Sequence, residues 1–64
     1  MLIYTLIKYS NSFNKWQEVA SGNELNSNTA KLAMLSLYNT YKDTECVLLE
    51  EYDTSNDSWK FITH

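Results

Sequence analysis

Apolar and β-branched side chains crowd the segment Leu2-Ile3-Tyr4-Thr5-Leu6-Ile7-Lys8-Tyr9, and the Ser10-Asn11-Ser12-Phe13-Asn14 run that follows has turn chemistry. A first strand over residues 2–9 and a hairpin loop are expected there. The pattern resumes from Lys15 to Ser21 with Trp16, Val19 and Ala20, then meets Gly22 and Asn23, where a second strand is expected to end. Leu25 precedes Asn26-Ser27-Asn28-Thr29, any of which can cap a helix, and Leu25 can fold back on the first turn as a hydrophobic staple. A helix is predicted to begin near position 27 or 28. Ala30, Ala33, Met34, Leu37, Tyr38 and Tyr41 then follow helical spacing and form one apolar stripe. The helix should end near Lys42, whose charge suits the C-terminal dipole, ahead of Asp43 and Thr44.

Glu45 to Tyr52, centred on Cys46-Val47-Leu48-Leu49, reads as a third strand, and Asp53-Thr54-Ser55-Asn56-Asp57 as a polar loop. Ser58 to His64, with Trp59, Phe61 and Ile62, reads as a fourth strand. The order ββαββ, without repeat or linker, predicts a single α+β domain over residues 1–64: a mostly antiparallel sheet with one helix on one face.

Alternation along the strands exposes a difficulty for so simple a plan. On strand one, Leu2, Tyr4 and Leu6 oppose Ile3, Ile7 and Tyr9; on strand three, Cys46 and Leu48 oppose Val47 and Leu49. Both faces are apolar, and a single helix covers only one of them. The other face either shows apolar area to solvent, as many proteins do, or packs on another chain, including a second copy in a homodimer. Leu32 and Leu35 lie off the stripe, beside Lys31 and Asn39, and are expected to be partly exposed.

Size sharpens the point, because a chain of 64 residues buries only about 60% of its unfolded surface. Cys46, the lone cysteine, cannot close an internal disulfide, and no Cys/His cluster offers a structural metal. Help from a second chain is the more natural route to stability. No stretch approaches the roughly 20 apolar residues of a membrane span, and the opening segment is too short and interrupted for a signal peptide. The chain therefore reads as a complete, soluble, cytoplasmic product, which makes the Asn56-Asp57-Ser58 sequon incidental.

Six of the eight carboxylates (Asp43, Glu45, Glu50, Glu51, Asp53 and Asp57) fall between positions 43 and 57, where there is no lysine. Residues 1–42 carry four lysines against Glu18 and Glu24, so the net charge of −3 sums a slightly basic front and a strongly acidic back. Such a division speaks to choice of partner and association rate. The acidic balance and the absence of arginine both disfavour direct nucleic-acid binding. Glu45, Glu51 and Asp53 share a face and bracket Val47 and Leu49, which makes them a candidate docking surface for a basic protein; solvated acids that keep a small protein soluble are the alternative.

Candidate chemistry is sparse. Glu50 and Glu51, as strand neighbours, project to opposite faces and cannot converge on one substrate. Asp53 to Asp57 lacks the ordered ligand series and distal glutamate of a calcium loop. His64, the last residue, has no nucleophile in register, and Cys46 is expected to be an inert buried thiol. Trp16, Trp59 and Phe61 could stack bases, but without a basic surround core packing is the better expectation. Phe13, aromatic in a polar loop, is either an exposed anchor or folds over Trp16. No catalytic residue, cofactor or metal is expected.

The compact ββαββ plan, the acidic segment from Asp43 to Asp57, and an Asn-, Tyr- and Lys-rich composition that suggests AT-rich coding resemble small phage-encoded inhibitors, among them anti-CRISPR and other anti-defence proteins. The resemblance implies a non-enzymatic protein that blocks a host factor, often one whose basic groove receives nucleic acid. Partner-binding candidates are the six acids named above, with Phe13, Leu32 and Leu35.

Overall fold

The computed structural model describes residues 1–24 and 29–63. The elements follow the expected order: β1 (Leu2–Ser10), β2 (Lys15–Glu24), α1 (Thr29–Tyr41), β3 (Val47–Asp53) and β4 (Ser58–Phe61). They form one antiparallel sheet in the order β2-β1-β3-β4. β1 lies between β2 and β3, so α1 carries the chain from an edge strand, across one face, to the far side of β1. The two flanking hairpins turn through residues 11–14 and 54–57, and each loop closes on a residue of positive φ, Asn14 at 53° and Asp57 at 49°. Asn and Asp tolerate that left-handed conformation better than other side chains, which is why polar Asx-rich runs supply both turns.

One irregularity decides which way β2 points. Leu6 pairs with Ala20, but Ile7 pairs with Glu18, so Val19 is the extra residue of a bulge. Strict alternation from Ala20 would send Glu18 and Trp16 to the helix side. The bulge sends both to the opposite face, in register with Ile7 and Tyr9.

The core sits between α1 and the sheet. Tyr4, Leu6, Val47, Leu49 and Met34 are buried, with Leu2, Ala20, Ala30, Leu35, Leu37, Tyr38, Tyr41 and Ile62 packed around them. Leu6 and Leu49, both 0% exposed, are direct cross-strand partners at its centre. Gly22, the cross-strand partner of Tyr4, lies under the helix beside Met34 and Ala30. The helix stripe is rotated slightly from the predicted one: Ala33 is exposed, and Leu35, partly exposed as expected, nonetheless packs against the core. Met34 points at the sheet with both residues flanking it, and only the longer Leu35 side chain reaches the core. Leu32 is 65% exposed, in line with its place off the stripe.

The helix closes where expected. Lys42 N–H donates to the Tyr38 carbonyl (2.9 Å), and the N–H groups of Thr44 and Glu45 donate to that of Tyr41 (3.0 and 2.8 Å). The staple and capping candidates Leu25, Asn26, Ser27 and Asn28 lie outside the described residues, as does His64. β4 stops at Phe61 because a side chain takes over from the backbone: Leu49 accepts from Ile62 N–H at 3.0 Å and donates its own N–H to the Thr63 hydroxyl at 2.9 Å. Cys46, expected to be buried mid-strand, is instead exposed just ahead of β3, its carbonyl accepting Tyr9 N–H at 3.0 Å. Its place in the alternation is on the face the helix leaves open. Among the described residues no helix is long and apolar enough to cross a membrane.

Candidate protein-docking face

α1 packs on β2, β1 and β3 from one side only, and makes no contact with β4. Among the described residues no element covers the other side of the sheet. Register assigns to it Ile3, Thr5, Ile7 and Tyr9 of β1, Trp16 and Glu18 of β2, Leu48, Glu50 and Tyr52 of β3, and Trp59 and Phe61 of β4. Side chains here shelter only one another. The four on β1 and the three on β3 are half-buried, whereas Trp16, Trp59 and Phe61 are 42%, 62% and 55% exposed. The expectation that these three aromatics fill the core is thus overturned. The Val19 bulge turns Trp16 outward, and pairing across the β3–β4 loop places Trp59 opposite Tyr52 and Phe61 opposite Glu50.

Cross-strand aromatic pairs order this face. Tyr9 and Trp16 meet edge-on with centroids 5.5 Å apart, and Tyr52 lies against Trp59 at 4.5 Å with planes tilted by 32°. Tyr52 donates its hydroxyl to Asp57 Oδ1 at 2.5 Å, anchoring the pair to the loop. That hydrogen bond to Asp57 is the main cause that raises the Tyr52 pKa above 10.0, with desolvation and the negative charges of Asp57 and Asp53 adding to it. Next to Trp59, a cleft of about 410 Å³ opens between Glu50, Trp59, Lys60 and Phe61.

Charge is sorted between the two sides. Register puts Lys8, Lys15 and Lys60 on the helix side, and Lys31 and Lys42 belong to the helix and the turn after it. Among the described residues Lys60 alone of the lysines borders the open face, at the cleft, and its ammonium lies 3.3 Å from Glu51 on the helix side. The charged side chains that register or contact places there are carboxylates: Glu18, Glu50 and, through Tyr52, Asp57.

The acids named from sequence do not form one surface. Glu45 is half-exposed and lies 3.9 Å from Lys8, while Asp43 is exposed in the turn after α1. Glu51 is buried on the helix side, 3.3 Å from the Lys60 ammonium, and Val47 and Leu49 are core residues. The surface bracketed by Glu45, Glu51 and Asp53 therefore has its apolar centre under the helix, because odd positions of β3 are the ones that α1 covers. Asp53 holds the loop together, accepting from Ser55 N–H (3.0 Å) and Asn56 Nδ2 (2.9 Å). Glu50 and Asp57 alone of the six border the aromatic face. Phe13 is 67% exposed at the far tip of the β1–β2 hairpin, where its N–H reaches Ser10 Oγ at 3.4 Å, and Trp16 pairs with Tyr9 instead. Leu32 and Leu35 ride on the helix, across the sheet from Glu50. Among the described residues no three His, Cys, Asp or Glu side chains converge as a metal-ligand set.

For Trp59 and Phe61, two of the three aromatics wrongly expected in the core, a signal existed in the sequence. A four-residue loop after Asp53 pairs 52 with 59 and 50 with 61, which puts both rings on the face of Ile3 and Ile7. No family model, no curated protein and no solved structure matches the chain.

Proposed function

We propose that this protein is a non-enzymatic binding module that docks the open face of its β3–β4 hairpin on a basic protein surface, acting as an inhibitor or adaptor of a host protein that handles nucleic acid. One observation carries the reading: among the described residues the charged side chains that register assigns to the open aromatic face are carboxylates, while the lysines belong to the helix side of the sheet, the helix or the turn after it, and Lys60, which borders the cleft, turns its ammonium to Glu51. Exposed aromatics with few neighbours supply buried area, and the carboxylates supply orientation and steering toward positive charge. The resemblance in layout and composition to small phage-encoded inhibitors supports a target whose groove normally receives nucleic acid.

The same charges argue against the homodimer, the other use of an apolar face. A two-fold pairing through this face brings two surfaces of like charge together.

Affinity capture from host cytosol identifies the partner, and association rates across a salt series then test the docking mode. Rates are expected to fall as salt rises, and the Glu50→Lys/Asp57→Lys double variant should lose binding while its circular dichroism stays native. Wild-type affinity in that folded variant, with rates indifferent to salt, overturns the reading. Sedimentation equilibrium showing a dimer that the same substitutions dissociate favours the homodimer.

A further inference from the structure

The cleft beside Trp59 is more selective than a flat apolar patch. Its volume of about 410 Å³ falls in the range of sites that take a small ligand or a single side chain. Trp59 and Phe61 are alternate residues on one side of β4, and Glu50 is the direct cross-strand partner of Phe61. A carboxylate thus sits at the foot of two aromatic walls. Lys60 borders the same cleft, but its ammonium is drawn to Glu51 on the opposite side of the sheet, 3.3 Å away, so it does not neutralise Glu50. Tyr52, tied to Asp57 and lying against Trp59, braces the indole from behind.

Among the possible occupants, a neutral apolar side chain would desolvate Glu50 and leave it unpaired, and an acidic one would be repelled. A cation satisfies the carboxylate and is attracted by the ring faces as well. Of the two cationic side chains, arginine fits better: its guanidinium is planar, weakly hydrated, stacks on aromatic rings and can offer a carboxylate two parallel N–H groups. This chain contains no arginine. The occupant must therefore come from a different protein.

We propose that the Glu50–Trp59–Phe61 cleft receives one arginine side chain of the partner protein, stacked on the aromatic rings with Glu50 accepting its guanidinium N–H groups. This deepens the docking reading above and rests on it.

The test uses blocked amino acids rather than the partner. Isotope-labelled protein is titrated with N-acetyl-arginine-methylamide, and in parallel with the blocked lysine and blocked citrulline analogues, while nuclear magnetic resonance follows the Trp59 indole N–H and the amides of Glu50 and Phe61. Saturable shifts at those sites are expected for arginine, on the order of millimolar affinity. Binding should be several-fold weaker for lysine and absent for citrulline. Glu50→Gln should weaken arginine binding roughly tenfold, as should Trp59→Ala, while Glu45→Gln leaves it unchanged. Glu50→Gln, nearly isosteric and on an open face, keeps the test decisive if Trp59→Ala proves poorly folded.

Equal responses to all three probes, shifts centred on the helix side, or no response up to about 100 mM (an affinity weaker than ~1.4 kcal/mol) overturn the inference. If the probes fail while Glu50→Lys/Asp57→Lys still abolishes partner binding, only the arginine assignment falls. If both fail, the docking face falls with it.

Discussion

Glu50 and Glu51 are adjacent in β3 and serve opposite sides of the sheet: Glu50 lines the open aromatic cleft, and Glu51 is 8% exposed, beside the Lys60 ammonium. Identical side chains one position apart should therefore respond differently to the same change. Glu50→Lys is expected to leave the melting temperature within the small range of surface substitutions, about ±0.5 kcal/mol, while abolishing partner binding. Glu51→Lys puts a second cation into a buried position next to Lys60 and should cost about 1–3 kcal/mol. Thermal melts of the two variants decide the matter, and equal destabilisation would mean that the register of β3 is wrong.

Leu49, fully buried opposite Leu6, and Leu32, 65% exposed on the helix, make a second contrast. Leu49→Ala should cost about 2–5 kcal/mol, a large share of what so small a domain has, whereas Leu32→Ala should change stability by less than about 0.5 kcal/mol. Urea denaturation curves measure both.

Gly22 occupies an extended strand position beneath α1, and a Cβ added there would meet Met34 Cε at 3.7 Å and Ala30 Cβ at 3.8 Å. These are ordinary van der Waals distances. Gly22→Ala should fill space without a clash and restrict the unfolded chain, raising stability by about 0.4–1 kcal/mol. A lower midpoint of unfolding would show that helix and sheet sit closer than this geometry allows.

The Tyr52 phenol should titrate above 10.0, chiefly because it donates to Asp57, and Asp57→Asn should bring it back down. A group whose pKa is raised on folding contributes stability that is fully present below its unfolded value. That contribution is therefore present below pH 10.0 and lost as pH rises through the higher folded value. Ultraviolet difference titration of the wild type against Tyr52→Phe isolates this phenol from the other four tyrosines of the sequence.

Much of the architecture was legible before any coordinates. Strong β-branched and aromatic runs, Asx-rich turns and a helical stripe from Ala30 to Tyr41 are local signals, so the ββαββ order and the single helix on one face followed from them. The opposition of Glu50 and Glu51 followed too, since alternation along a strand has a period of two. Where each element ended was less legible: β4 stops at Phe61 because the Thr63 hydroxyl replaces a carbonyl, a contact made to Leu49 across the sheet.

What the sequence by itself determined, then, was which segments are strands and helix, that both sheet faces are apolar, and that one helix cannot cover them both. Which face the helix takes is a tertiary choice. It buries Tyr4, Leu6, Val47 and Leu49, and so withdraws Glu51 from the surface and leaves Glu50 on the open side. The Val19 bulge is a second such decision, for one extra residue in β2 moves Trp16 and Glu18 to the face opposite the one that alternation assigns them. Local pattern cannot express either outcome, because a bulge and a covered face are set by how strands pair and pack. Together they moved aromatics expected in the core onto the face that the helix leaves open.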